Sequence, residues 1–284
     1  MDPQQFKHLR LDRSPLERLG SGSYLLLFWP AIAALCGLCV AVFLSKHRET
    51  SWLQVVLLVV ASGALVLGLA RKLPLQNVIG AALAIAAIGS GAHAIGSLTG
   101  VPFGPYVYTQ DMGRPLFGAL PWMIPFIWVI FVLSSRGTAR LVLRRWRTNR
   151  NFGFLVIGLT TILTVLLDLG LEVFATKLFT YWEWSGTKLP LDLFDIPATN
   201  FFGWGLVCLL ILAFATPLLI NKRPSGPSPP DYHPLAIWVL LDALFGIGAM
   251  KAEEQSAALL MFGAGIIVFG IGLLQGWRTR HARG

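Results

Sequence analysis

The chain has 284 residues, of which 55% are hydrophobic and only 13% charged, and its mean hydropathy is +0.66. These values exclude an ordinary soluble domain and predict a polytopic membrane protein with one membrane domain. A formal charge of +9 would suit a nucleic-acid partner, but its distribution fits orientation in a membrane, so no nucleic acid is expected.

Residues 1–21 are polar and basic, with Lys7, Arg10, Arg13 and Arg18, and read as a cytoplasmic tail. The apolar run from Tyr24 to Leu44 is long enough to span and lacks a small-residue cleavage site, which argues against a cleaved signal peptide. Spans are expected over 22–44, 51–70, 77–98, 119–135, 152–174, 199–220, 235–250 and 256–276. The third is rich in Ala and Gly, which predicts close helix contact, and it carries His93. GVPFGPYVYTQDMGRPLFG (100–118) has too many glycines and prolines for a continuous helix and reads as an interfacial or re-entrant loop. The basic stretch 136–150 reads as an orienting loop, 222–234 as a proline-rich linker, and 277–284 as a second basic tail.

Seventeen of the 23 Lys and Arg fall on the side of the termini and six on the other. The expected fold is therefore an all-α transmembrane helix bundle of about eight spans with both termini cytoplasmic, in the cell (inner) membrane. A single membrane domain covers 22–276. Cys36, Cys39 and Cys208 lie in apolar runs; CGLC at 36–39 matches a redox spacing, but inside a span it reads as packing.

Two carboxylates break the fifth span. Asp168 and Glu172 are four residues apart, which puts both on one helix face. Charged groups at mid-bilayer are costly, about 2.5 kcal/mol or more each, so such a pair marks a functional site. At ~1.5 Å per residue, His93 and Asp168 sit about 24 Å from the cytoplasmic edge, with Glu172 one turn further out. Asn200 opens span six from that same side. His93, Asp168, Glu172, Asn200 and Tyr106 or Tyr108 are thus expected to meet in the outer half of the bundle, and Asp242 nearer the cytoplasmic half. A structural reading stands beside the functional one for the Asp168–Glu172 pair, held by Asn200, His93 or a tyrosine hydroxyl, and likewise for His93 and Asp242. Trp182, Trp184 and Trp204 read either as an aromatic belt or as a substrate wall. No standard metal, P-loop or dinucleotide motif is present, so neither metal nor cofactor is expected.

The segments VPFGPYVYT (101–109) and GRPLFGALPWMIPFIW (113–128), then DLGLEVFATKLFTYWEW (168–184), then IPATNFFGW (196–204) occur in an order and spacing that resembles the family of CruF-type carotenoid hydratases. The resemblance covers about 100 residues. It maps the family's D-x-x-x-E onto Asp168 and Glu172, its W-x-W onto Trp182 and Trp184, and its P-x-x-N onto Pro197 and Asn200. Val173 stands where the family often has proline.

The resemblance implies addition of water to the terminal C1–C2 double bond of an acyclic carotenoid such as lycopene. Membrane lipid and other carotenoid-pathway enzymes are further expected partners. The residues suit that chemistry on their own terms. An unactivated trisubstituted alkene must be protonated first; an apolar site favours the neutral acid that can do this, and an ionised neighbour can stabilise the cation and orient water. Aromatic faces assist the cation. Asp168 is assigned as acid and Glu172 as the water-orienting partner, with the reverse also open. A carotenoid end-group cyclase or isomerase starts with the same protonation. A transporter or carotenoid-binding protein would use the carboxylates for protons or ions, although no inverted repeat is evident.

Overall fold

The computed structural model describes residues 23–45, 51–112, 115–116, 118, 120–185, 191–220 and 229–281; the tails at 1–21 and 282–284 and the linker core lie outside them. Among the described residues, eight helices are long and apolar enough to cross a membrane: α1 (Ser23–Phe43), α2 (Ser51–Ala70), α3 (Leu75–Thr99), α4 (Ile124–Val142), α5 (Phe152–Val173), α6 (Ala198–Ala215), α7 (His233–Lys251) and α8 (Gln255–His281). The chain is a multi-pass membrane protein. Large apolar side chains such as Leu26, Phe154, Phe202 and Ile266 stay exposed on the outside of the bundle, as a lipid solvent requires.

Helix α4 is the axis of the bundle and packs on α2, α3, α5, α7 and α8. It begins later and runs further than hydropathy suggests, because Arg136 and Arg140 belong to the helix rather than to a basic loop. Arg136 is buried, and its guanidinium donates to the Leu219 carbonyl at 2.8 Å. Leu219 follows the short 3-10 turn Thr216–Leu218 that ends α6, so the cation satisfies a carbonyl that the helix end leaves free. Arg140 lies over the Phe152 ring.

Small residues let aromatic rings enter the bundle. A Cβ on Gly89 of α3 would lie 2.3 Å from the Trp128 ring, and one on Gly203 of α6 would lie 2.8 Å from Phe103 and 3.0 Å from the Pro102 carbonyl oxygen. Only glycine leaves that room, and Trp128 and Phe103 are fully buried as a result.

The two ends of the bundle differ. At one end, Asp231 accepts from Arg71 at 3.0 Å and Lys72 at 2.8 Å and pairs with His233 Nδ1 at 2.7 Å, while Arg71 covers the Tyr24 ring. Burial alone would raise the Asp231 carboxyl, but His233, Lys72 and Arg71 together hold it well below the ordinary carboxylate range. This cluster ties α1, α2 and the start of α7 together.

The other end carries, among the described residues, three small antiparallel ladders. Strand β1 (Tyr106–Tyr108) pairs with β4 (Trp182–Trp184), β2 (Pro115–Leu116) with β3 (Leu120–Pro121), and β5 (Asp192–Leu193) with β6 (Ile196–Pro197). Lys177 bonds to Asp195 and to Glu254, joining the end of span five to the β5–β6 loop and to the turn between α7 and α8.

Candidate active site

The site forms where α3, α5 and α6 meet the β1–β4 ladder. Asp168 and Glu172 project from the last two turns of α5, and just beyond them the helix widens into a π turn over Phe174–Leu178. Such turns recur at functional sites because they shift the helix register locally. Asp168, Glu172 and Asn200 are 0%, 2% and 1% exposed, so bulk water does not solvate the two acids, and protein groups or an enclosed water must satisfy them.

Asn200 lies in the first turn of α6, and its Nδ2 donates to Asp168 Oδ2 at 3.0 Å and to Glu172 Oε1 at 3.0 Å. One amide thus spends both hydrogens on the two acids. Glu172 Oε2 accepts from Trp182 Nε1 at 2.9 Å and Trp184 Nε1 at 3.0 Å. The strand period explains why two tryptophans converge: Trp182 and Trp184 are two apart and share a face, while Glu183 between them points outward. Asp168 Oδ1 is buried with no hydrogen-bond partner among the described residues.

The register of the ladder sets Tyr106 opposite Trp184 and Tyr108 opposite Trp182. Both phenols reach His93 Nδ1 at 3.1 Å, and Tyr106 also donates to the His93 carbonyl at 3.1 Å. With the Tyr106 hydrogen used there, its oxygen accepts from Nδ1, which places the ring hydrogen on Nδ1, and Tyr108 can donate to the Tyr106 oxygen at 3.3 Å. Burial is the main cause that pushes both phenols above the usual tyrosine range, with Glu172 adding to it, so they remain neutral donors at physiological pH. His93 stacks on Phe103 at 4.4 Å and meets Trp204 edge-on at 5.5 Å. Trp204 in turn stacks on Trp128 at 4.0 Å.

A polar void of about 10 Å³ is bounded by His93, Tyr106, Tyr108, Glu172, Trp182, Trp184 and Asn200. That is about the space of one water, and the lining supplies the polar partners a water needs. The sequence places most of these residues together, and they are together. Asp168 joins through Asn200, and Trp204 through His93.

Two readings that the sequence leaves open are narrowed. Trp182 and Trp204 are buried, so neither belongs to a lipid-facing belt. Asp242 is buried on α7, but its carboxylate faces the backbone of Gly265 on α8, and it does not border the void. Sequence reasoning does not single out Phe103 or Trp128; the glycines at 89 and 203 are their only signal. No group of three or more metal-ligating side chains occurs among the described residues.

No solved structure matches the chain significantly. Over 165 residues it is 30% identical to the bisanhydrobacterioruberin hydratase of Haloarcula japonica, an alignment that takes in 57% of this chain and 53% of that protein. The chain thus spans about half the length of the curated relative it matches. Residues 53–270, which include every residue of the site, match the family model of carotenoid biosynthesis proteins, and the chain belongs to that family.

Proposed function

We propose that this protein hydrates the terminal C1–C2 double bond of an acyclic carotenoid. The observation that carries the reading is the unequal equipment of the two acids, of which Glu172 borders a water-sized void. Three N–H bonds to Glu172 favour its carboxylate. Asp168 accepts one, keeps a bare oxygen and shares its amide with that carboxylate, which favours the carboxylic acid.

Asp168 then delivers its proton to C2, leaving a tertiary cation at C1. The carboxylate of Glu172 and the faces of Trp182 and Trp184 stabilise that cation. A water in the polar void, held by Glu172 and the neutral Tyr106 and Tyr108, adds through oxygen to C1. Its surplus proton passes to Glu172, and transfer back to Asp168 restores the pair. No step requires a metal or an organic cofactor. The name of the Haloarcula japonica relative supports hydration over other carotenoid chemistry.

The test is mass spectrometry of carotenoids from a lycopene-producing host. Wild type should add the mass of one water, while Asp168→Asn and Glu172→Gln should not. An isomer of unchanged mass would mean cyclisation or isomerisation instead, and unchanged pigment would point to transport or binding.

A further inference from the structure

Three buried polar atoms belong to rings that meet one another beside the site. His93 Nε2, Trp128 Nε1 and Trp204 Nε1 have no hydrogen-bond partner among the described residues, and the residues that carry them are 7%, 0% and 2% exposed. His93 meets Trp204 at 5.5 Å and Trp128 at 6.0 Å between ring centroids, and the two indoles stack at 4.0 Å. The hydration steps above use none of the three atoms.

The phenols account for the other side of the imidazole. Nδ1 gives its hydrogen to the Tyr106 oxygen at 3.1 Å, so Nε2 keeps a lone pair, and the two nitrogens leave the ring in widely divergent directions. Phe103 covers one ring face. The tryptophans meet His93 as well, and each has an N–H to give. Two donors and one acceptor in one cluster are complementary to a single oxygen that accepts twice and donates once. Left unmade inside the bundle, each bond would carry the full desolvation cost of its group.

We propose that an enclosed water bridges Trp128 Nε1, Trp204 Nε1 and His93 Nε2, and that through it the two tryptophans are positioning residues for hydration; the positioning role rests on the hydration reading above. Three bonds is the usual number for a buried water. With Nε2 engaged as an acceptor, the ring hydrogen stays on Nδ1. That tautomer directs the phenols: Tyr106 receives the Nδ1 hydrogen, and Tyr108 turns its own toward Tyr106 at 3.3 Å. A hydrogen on Nε2 would reverse this, since the bare Nδ1 would then take the Tyr108 hydrogen at 3.1 Å. Both phenols border the void assigned to the hydrating water, whereas Trp128 and Trp204 do not, so the bridging water is a separate one.

The test is nuclear magnetic resonance of protein labelled uniformly with heavy carbon and heavy nitrogen in lipid bilayers, with His93, Trp128 and Trp204 assigned through their chain neighbours. In wild type the His93 hydrogen should reside on Nδ1, and both indole N–H signals should receive magnetisation from water. In Trp128→Phe/Trp204→Phe, which keeps both rings aromatic, the hydrogen should move to Nε2. Its kcat should fall about fivefold, the worth of one ordinary hydrogen bond, with KM unchanged. A hydrogen on Nε2 in wild type, or no transfer from water to the indoles, would overturn the bridging water, and both are read on unaltered protein should the double variant fail to fold. An unmoved tautomer or an unmoved kcat in the folded variant would overturn the positioning role. Water and tautomer as described, in a protein that gives no hydrated carotenoid, would sink the hydration reading and leave the water site standing. Hydrated product without the water signals would sink this inference alone.

Discussion

Glu172 accepts three N–H bonds where Asp168, one helical turn away, accepts one. The two acids have nearly the same burial and opposite neighbourhoods. In the proposed hydration, environment rather than residue type sets the acid apart from the carboxylate. Asp168→Asn and Glu172→Gln should each reduce conversion at least about 10²-fold, with membrane expression unchanged, as measured by product per unit of protein. Asn200→Leu should also impair turnover, because it removes the donor common to both acids.

The two indoles act on one oxygen, so their removal should not be additive. Trp182→Phe and Trp184→Phe keep the aromatic wall but each delete one donor to Glu172 Oε2. Each single change should cost about 1–2 kcal/mol of transition-state stabilisation. The double variant should cost more than the sum, because only then does that oxygen lose its last donor. A double-mutant cycle on the initial conversion rate checks this.

Gly203→Ala should destabilise the fold by about 1–3 kcal/mol. Its new methyl would meet the Pro102 carbonyl, which is backbone and cannot rotate away. Phe103, against which His93 stacks, would shift with it. Thermal unfolding in detergent should show a midpoint several degrees lower, and a change such as Gly158→Ala, at a helical position with open space, should not lower it.

Asp231→Asn should loosen the opposite end of the bundle by about 1–2 kcal/mol at neutral pH. The folded carboxyl lies below its unfolded value. Its contribution is therefore complete above about pH 4 and is lost as the pH falls through the folded value. Wild type and variant should converge on acidification, as followed by unfolding midpoints across pH. A gap that widened in acid would contradict the ion cluster.

Much of this site is legible in the chain because lipid makes exceptions conspicuous. Asp168, Glu172 and His93 stand out in apolar runs, the four-residue spacing fixes their face, and an even number of spans brings the 100–118 and 179–197 loops to the same end. The pairing of those loops is not legible. Neither has a repeating strand pattern long enough to announce β1 and β4, and their register depends on where α3 and α5 end. The apolar signal also fails for α4, where Arg136 is tolerated because Leu219 offers a carbonyl at the right place. Trp128 looks like any aromatic residue in a span until glycine at 89 makes room for its stack on Trp204. Asp242 shows the converse, since a lone acid in a span marks burial without saying which neighbours it meets.

The most direct test of the central claim traces the atoms that are added. Purified protein in nanodiscs is supplied with an acyclic carotenoid in water enriched in heavy oxygen, and separately in deuterated water. The account predicts one heavy oxygen on the tertiary carbon C1 and one deuterium on C2, both absent with Asp168→Asn. A product with no solvent oxygen, or with the mass of its substrate, would contradict hydration by this pair of carboxylates.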